Sequence, residues 1–201
     1  MKFGTARRIT ANFLSLVSSQ VISRVIQLAI FVYLARILGK SDFGIFSFGL
    51  AFAFIFVIIA DFGLSTLIIR EISRDKKSAA KYMSNSLIIK LLLSVITFVS
   101  AYFFLNIASY SPQVKTIAYI MLGFTLLQSF TELHFSIFRA FERMHYDAFI
   151  KILRMLILAG LIFYSLANNY GLLASSLAFL VTEVIVLIIA FFITYTKFIR
   201  I

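Results

Sequence analysis

The sequence predicts an all-α integral membrane protein with six transmembrane helices and both termini on the cytoplasmic side. Three observations lead there. Of 201 residues, 62% are hydrophobic and only 13% are charged, whereas about a quarter of the residues of a soluble domain are charged. Six runs, at 12–38, 45–69, 85–107, 115–138, 148–167 and 172–196, approach or exceed the roughly 20 residues that cross a hydrocarbon core. The basic residues also alternate by connection. Lys2, Arg7 and Arg8 precede the first run; Arg70, Arg74, Lys76, Lys77 and Lys81 follow the second; Arg139, Arg143, Lys151 and Arg154 surround the junction of the fourth and fifth; Lys197 and Arg200 close the chain. The other side carries only Arg36, Lys40 and Lys115. The positive-inside rule then places both termini in the cytoplasm. Charge placed this way explains a formal net charge of +11 without nucleic acid as a partner.

The first run is amphipathic despite its length. Asn12, Ser15, Ser19, Gln20, Ser23, Arg24 and Gln27 share one half of a helical wheel, and Leu14, Val17, Val21, Val25, Leu28 and Val32 share the other. An arginine near the bilayer centre costs about 2.5–3.5 kcal/mol on insertion scales. Arg24 is therefore expected to face protein or water. It is either a strut paired with an acid of another helix or part of a substrate cavity, and the continuous polar row favours the cavity. A guanidinium also forks readily onto phosphate oxygens.

The second run is interrupted by Asp61, Phe62, Gly63 and Leu64, read as a packing notch where glycine permits close helix contact or a bend. In the third, Lys90 is expected to extend toward the surface. In the fourth, Glu132 shares a stripe with Thr125, Gln128 and Ser136 and lies about 10 Å inside Arg139. The fifth has the shortest apolar stretch, 155–166, and spans if Lys151 and Arg154 reach toward the surface. The sixth holds Glu183 at mid-span, beside Thr182 and below Ser175 and Ser176. Glu132 and Glu183 each fit as a partner of Arg24, as a cavity wall, or as a proton or sodium site. Short connections are expected at 39–43, 106–111 and 168–171, the last a tight turn built on Asn168, Asn169 and Gly171.

Several chemistries find no support. The chain has no cysteine, which removes disulfides, thiolate metal sites and cysteine nucleophiles. His134 and His145 are eleven residues apart without a nearby acid cluster, and single histidines usually pack. There is no His-Glu-x-x-His and no phosphate-binding glycine loop. Gly63, Leu64 and Ser65 echo an intramembrane protease only superficially, with no spacing that brings His134 to Ser65. The N-terminal stretch lacks a signal-peptide cleavage site and is expected to stay attached. No catalytic residue, metal or cofactor is expected.

Three phrases, each at a helix end, carry a family resemblance. They are Leu34 to Gly39 followed by Asp42, Phe43, Gly44, Ile45 and Phe46; Asp61, Phe62, Gly63 and Leu64 followed by Arg70, Glu71 and Ile72; and Phe138, Arg139, Ala140, Phe141, Glu142, Arg143 and Met144. In this order they resemble the polysaccharide transporters of the Wzx type, O-antigen or lipid-linked oligosaccharide flippases of the multidrug/oligosaccharidyl-lipid/polysaccharide exporter superfamily. The resemblance covers essentially the whole chain. Members typically have twelve to fourteen helices in two lobes of a MATE-like fold, so the chain, residues 1–201, resembles the N-terminal six-helix lobe.

The resemblance implies a transporter, not an enzyme, in the cytoplasmic membrane, moving an undecaprenyl-diphosphate-linked oligosaccharide outward for lipopolysaccharide or another surface polysaccharide. Arg24, Gln20, Ser23, Gln27, Glu132 and Glu183 are then the candidate cavity residues. Asp61, Gly63, Arg139, Glu142 and Arg143 are structural residues of the helix joints. The implied partners are the lipid-linked glycan, the bilayer, and a second lobe or a second copy of the chain. The alternatives are a lobe of a cation-coupled multidrug exporter, with Asp61, Glu132 or Glu183 holding the ion, and a nontransporting membrane scaffold.

Overall fold

A computed structural model describes residues 2–199, with side chains from Leu16 onward. Asn12, Leu14 and Ser15 of the first helix fall outside the described side chains. The described residues form helices and the turns that join them, with no strand among them. These are α1 (Lys2–Asp61), α2 (Leu64–Arg74), α3 (Ala79–Ile107), α4 (Pro112–Ala140), α5 (Met144–Ala167) and α6 (Gly171–Thr194), with a 3-10 turn at Lys76–Ser78 and a π-helical end at Tyr195–Ile199. Five helical stretches among the described residues are long and apolar enough to cross a membrane. The protein is an integral membrane protein.

The first of these stretches, 16–61, is folded on itself. Gly39 has φ 74° and ψ 178°, a region open essentially to glycine alone. Phe31 and Phe46 would stand about 22 Å apart along a straight helix, yet their ring centroids are 5.7 Å apart. The chain therefore reverses at Gly39. Its two limbs, 16–39 and 40–61, are each about 33–36 Å long. Where a connection is expected at 39–43, a single residue makes the turn, because a glycine in this conformation redirects the axis without interrupting the helices on either side.

The second limb ends at Asp61. Phe62 and Gly63 adopt φ 34° and 75°, and α2 starts in a new direction. A β-carbon on Gly63 would meet nothing within 4 Å. Of the two roles read for Gly63 in the packing notch, close helix contact or a bend, the structure shows the bend. α2 is amphipathic, with Leu64, Ile68 and Ile72 buried at four-residue spacing and Arg70 and Arg74 exposed beside Glu71.

Local chemistry sets the remaining ends. Ser111 caps α4 by accepting from Val114 N at 3.4 Å, with Pro112 in the first turn. α4 ends in a Schellman motif, in which Arg143 N donates to Phe138 O at 2.8 Å and Glu142 N donates to Arg139 O at 3.0 Å, Glu142 being left-handed at φ 56°. α5 ends the same way through Asn169, φ 57°.

Among the described residues, two apolar clusters fill the bundle. One, around Leu34, Phe46, Ala53, Met121, Leu122, Ile162 and Phe179, occupies the end where α1 reverses. The other, around Ile68, Ile72, Met83, Leu133, Phe138, Ile150 and Phe198, occupies the end with the basic connections. That basic end is tied together by Lys76 over the Phe141 ring and Lys197 over the Tyr146 ring.

Candidate functional site

The helices bring polar faces together between the two apolar clusters. Gln20, Ser23, Arg24 and Gln27 follow one another at the spacing that aligns side chains on a single helical face. Phe124, Gln128 and Glu132 do the same on α4, Arg154 and Leu158 on α5, and Phe179 and Glu183 on α6. All of these line one cavity of about 670 Å³, within the range that holds small-molecule groups. The six candidate cavity residues, Arg24, Gln20, Ser23, Gln27, Glu132 and Glu183, all lie on its wall.

Arg24 and Gln20 are exposed, while Ser23 and Gln27 are half-buried. The only hydrogen bond of Arg24 among the described residues runs from Nη1 to Gln27 Oε1 at 3.4 Å. Ser19, on the same half of the wheel, is buried and donates to Leu16 O at 2.9 Å. Val21 and Val25 from the apolar half also line the cavity, so the division of the wheel into two faces is less complete than the sequence pattern implies.

Neither acid pairs with Arg24. Glu183 Oε1 accepts from Arg154 Nη2 at 3.0 Å and from Thr131 Oγ1 at 2.7 Å. Glu132 Oε2 accepts from Arg139 Nη2 at 3.2 Å. Arg139 Nε also donates to Asp147 Oδ2 at 2.7 Å, and Lys151 Nζ lies 2.8 Å from Asp147 Oδ1. Asp147 is fully buried, so two cations offset one carboxylate that cannot reach water. Lys151 and Arg154 also sit 5.5 Å from the ring of Phe135, a cation–π distance.

These contacts correct two expectations. Lys151 and Arg154 do not extend to the surface: Arg154 is 5% exposed, and both line the cavity. Buried acids on α5 and α6, Asp147 and Glu183, offer these cations more than the surface does. Lys90 likewise does not snorkel. It is fully buried, and its Nζ donates to Asp61 Oδ1 at 3.0 Å. Asp61 and Gly63 instead line a second, smaller cavity of about 440 Å³ with Thr125, Gln128 and Glu132.

Sequence reasoning left Lys151, Arg154 and Asp147 out of the site. A signal for them existed, since Asp147, Lys151 and Arg154 recur at four and three residues on one face of α5. His134 is buried, with Nδ1 3.1 Å from Thr194 Oγ1, a packing residue. Ser65 and His134 are not hydrogen-bonded to each other. Arg139 bridges acids; Glu142 and Arg143 form the end of α4. Among the described residues no group of three His, Cys, Asp or Glu could hold a metal.

Fold and site together define a helical membrane protein with a charged cavity inside its bundle. Residues 9–201 match the model of a family described as polysaccharide biosynthesis protein, and the chain belongs to that family. No curated protein and no solved structure matches it.

Proposed function

We propose that this chain forms one lobe of a transporter that exports a lipid-linked oligosaccharide, of the undecaprenyl-diphosphate type, across the cytoplasmic membrane for surface polysaccharide synthesis. One observation carries the reading. Within a family of polysaccharide biosynthesis proteins, Arg24 lies on the wall of an intramembrane cavity and has no carboxylate partner among the described residues. The carboxylates of that wall, Glu132 and Glu183, already face Arg139 and Arg154. A cavity whose acids are matched and whose first-helix cation is not suits an anionic substrate better than a cationic drug. The diphosphate forks onto Arg24, the polar row of α1 meets the sugar, and the lipid tail stays in the bilayer. The cavity is exposed at Gln20, Val21, Arg24 and Val25. A second lobe, either another copy or a separate segment, closes it there.

The test is export of lipid-linked glycan in cells that depend on this protein. Arg24→Ala abolishes export and leaves the glycan on the cytoplasmic leaflet, while Arg24→Lys retains part of it, keeping charge but losing the fork. Wild-type export by Arg24→Ala excludes the capture role. A pH-dependent drug-resistance phenotype favours the cation-coupled exporter instead. Stability changes without any change in flux favour a scaffold.

A further inference from the structure

The Arg154–Glu183 pair is incomplete in a way that a strut has no reason to be. Guanidinium and carboxylate commonly engage through two parallel hydrogen bonds. Here only one is made, Arg154 Nη2 to Glu183 Oε1 at 3.0 Å, and Thr131 takes the same oxygen. Among the described residues, Glu183 Oε2 and Arg154 Nε have no partner. Glu183 is fully buried and Arg154 is 5% exposed, so bulk water does not satisfy them. Both residues lie on the cavity wall. Two charged residues of the cavity wall thus each carry one unmatched polar atom, an acceptor on Glu183 and a donor on Arg154, and buried polar atoms in that state are rare in proteins.

We infer that Arg154 and Glu183 form a subsite for a neutral group that carries both a donor and an acceptor, a sugar hydroxyl or acetamido group. This rests on the reading that the cavity receives a lipid-linked glycan, and it assigns the glycan a place. The group donates to Glu183 Oε2 and accepts from Arg154 Nε. A phosphate is repelled there by the spare carboxylate oxygen, which leaves the diphosphate to Arg24. A metal cation is repelled by the guanidinium 3.0 Å from the carboxylate. Leu158, one turn beyond Arg154, and Phe179, one turn before Glu183, also line the cavity and supply apolar surface for the C–H face of a sugar ring.

The experiment compares two ligands on the purified chain in lipid nanodiscs by calorimetric titration. One is a prenyl diphosphate; the other is the same lipid bearing a single N-acetylhexosamine. The quantity read is the ratio of their affinities, the advantage given by the sugar. In the wild type the sugar is expected to confer about a tenfold advantage, the scale of one or two hydrogen bonds to charged groups. Glu183→Gln, and the double variant Arg154→Met with Glu183→Met, are expected to bring the ratio to about one. The double variant guards against misfolding, because replacing both members of a buried pair with apolar groups of similar volume is commonly tolerated. A sugar advantage that survives in a monodisperse double variant overturns the subsite and leaves the pair as a hydrated strut. Binding of neither lipid by the wild type overturns capture of the lipid-linked diphosphate by this lobe, on which the subsite rests, so the two failures are distinct.

Discussion

At the scale of single residues, the buried charges in this bundle follow one rule: a cation on a membrane-spanning helix stays inside the bundle when an acid is within reach. Lys90 illustrates it. Its side chain is fully buried while that of Asp61 is 50% exposed, so the two partners are not equivalent. Removing the lysine leaves an aspartate that still borders the second cavity. Removing the acid leaves a fully buried ammonium without its hydrogen-bonded carboxylate. We therefore predict that Asp61→Asn destabilises the protein by about 3 kcal/mol, toward the low end of what breaking a buried pair costs. Lys90→Met is expected to cost under about 1 kcal/mol, because a similar-volume apolar side chain fills the same space. The double variant recovers most of the loss from Asp61→Asn. Thermal unfolding in detergent, read as a double-mutant cycle, checks all three. An equal loss from both single variants contradicts the asymmetry.

At the scale of elements, the two breaks in the first half of the chain depend on glycine for different reasons. Gly39 sits at φ 74° and ψ 178°, where a side chain of any kind is strained. Gly63 sits at φ 75° and ψ 10°, a left-handed conformation that asparagine also visits. Neither would place a β-carbon within 4 Å of another group, so substitution tests backbone strain free of steric clash. Ala at either position is expected to cost about 1–2 kcal/mol. Asn restores most of that at Gly63 and little at Gly39. The melting temperatures of the four variants measure it. Equal rescue by Asn at both positions means the Gly39 bend relaxes into the left-handed region.

At the scale of the whole molecule, the two apolar clusters are separated by a layer of paired charges, and legibility in the sequence follows that division. Membrane character and helical content were readable because apolar transfer adds residue by residue along a run. The polar row of α1 was readable because it repeats with the period of one helix. The pairings of Lys90 with Asp61 and Arg154 with Glu183 were not, since partners 29 residues apart are chosen by which helices become neighbours. The bend at Gly63 was marked by its glycine, but nothing local distinguishes a bend from a packing contact. Orientation in the membrane is a prediction from charge. Lys76, Lys77, Lys81 and Arg143 lie at the connections of one end. At the other, Lys115 is hydrogen-bonded to Asn106 at 3.1 Å, leaving Arg36 and Lys40 near the reversal. Each Lys or Arg near an anionic leaflet is worth about 1 kcal/mol, which strongly favours the end holding Lys76, Lys77, Lys81 and Arg143 as the cytoplasmic one. Because the chain has no cysteine, single cysteines report orientation without a background to remove. Lys40→Cys and Asn168→Cys are expected to react with a membrane-impermeant maleimide in intact cells. Lys77→Cys and Arg143→Cys react only after permeabilisation. The reverse pattern places the cavity and its Arg24 in a bundle of opposite orientation, and the diphosphate is then met from the wrong side for export.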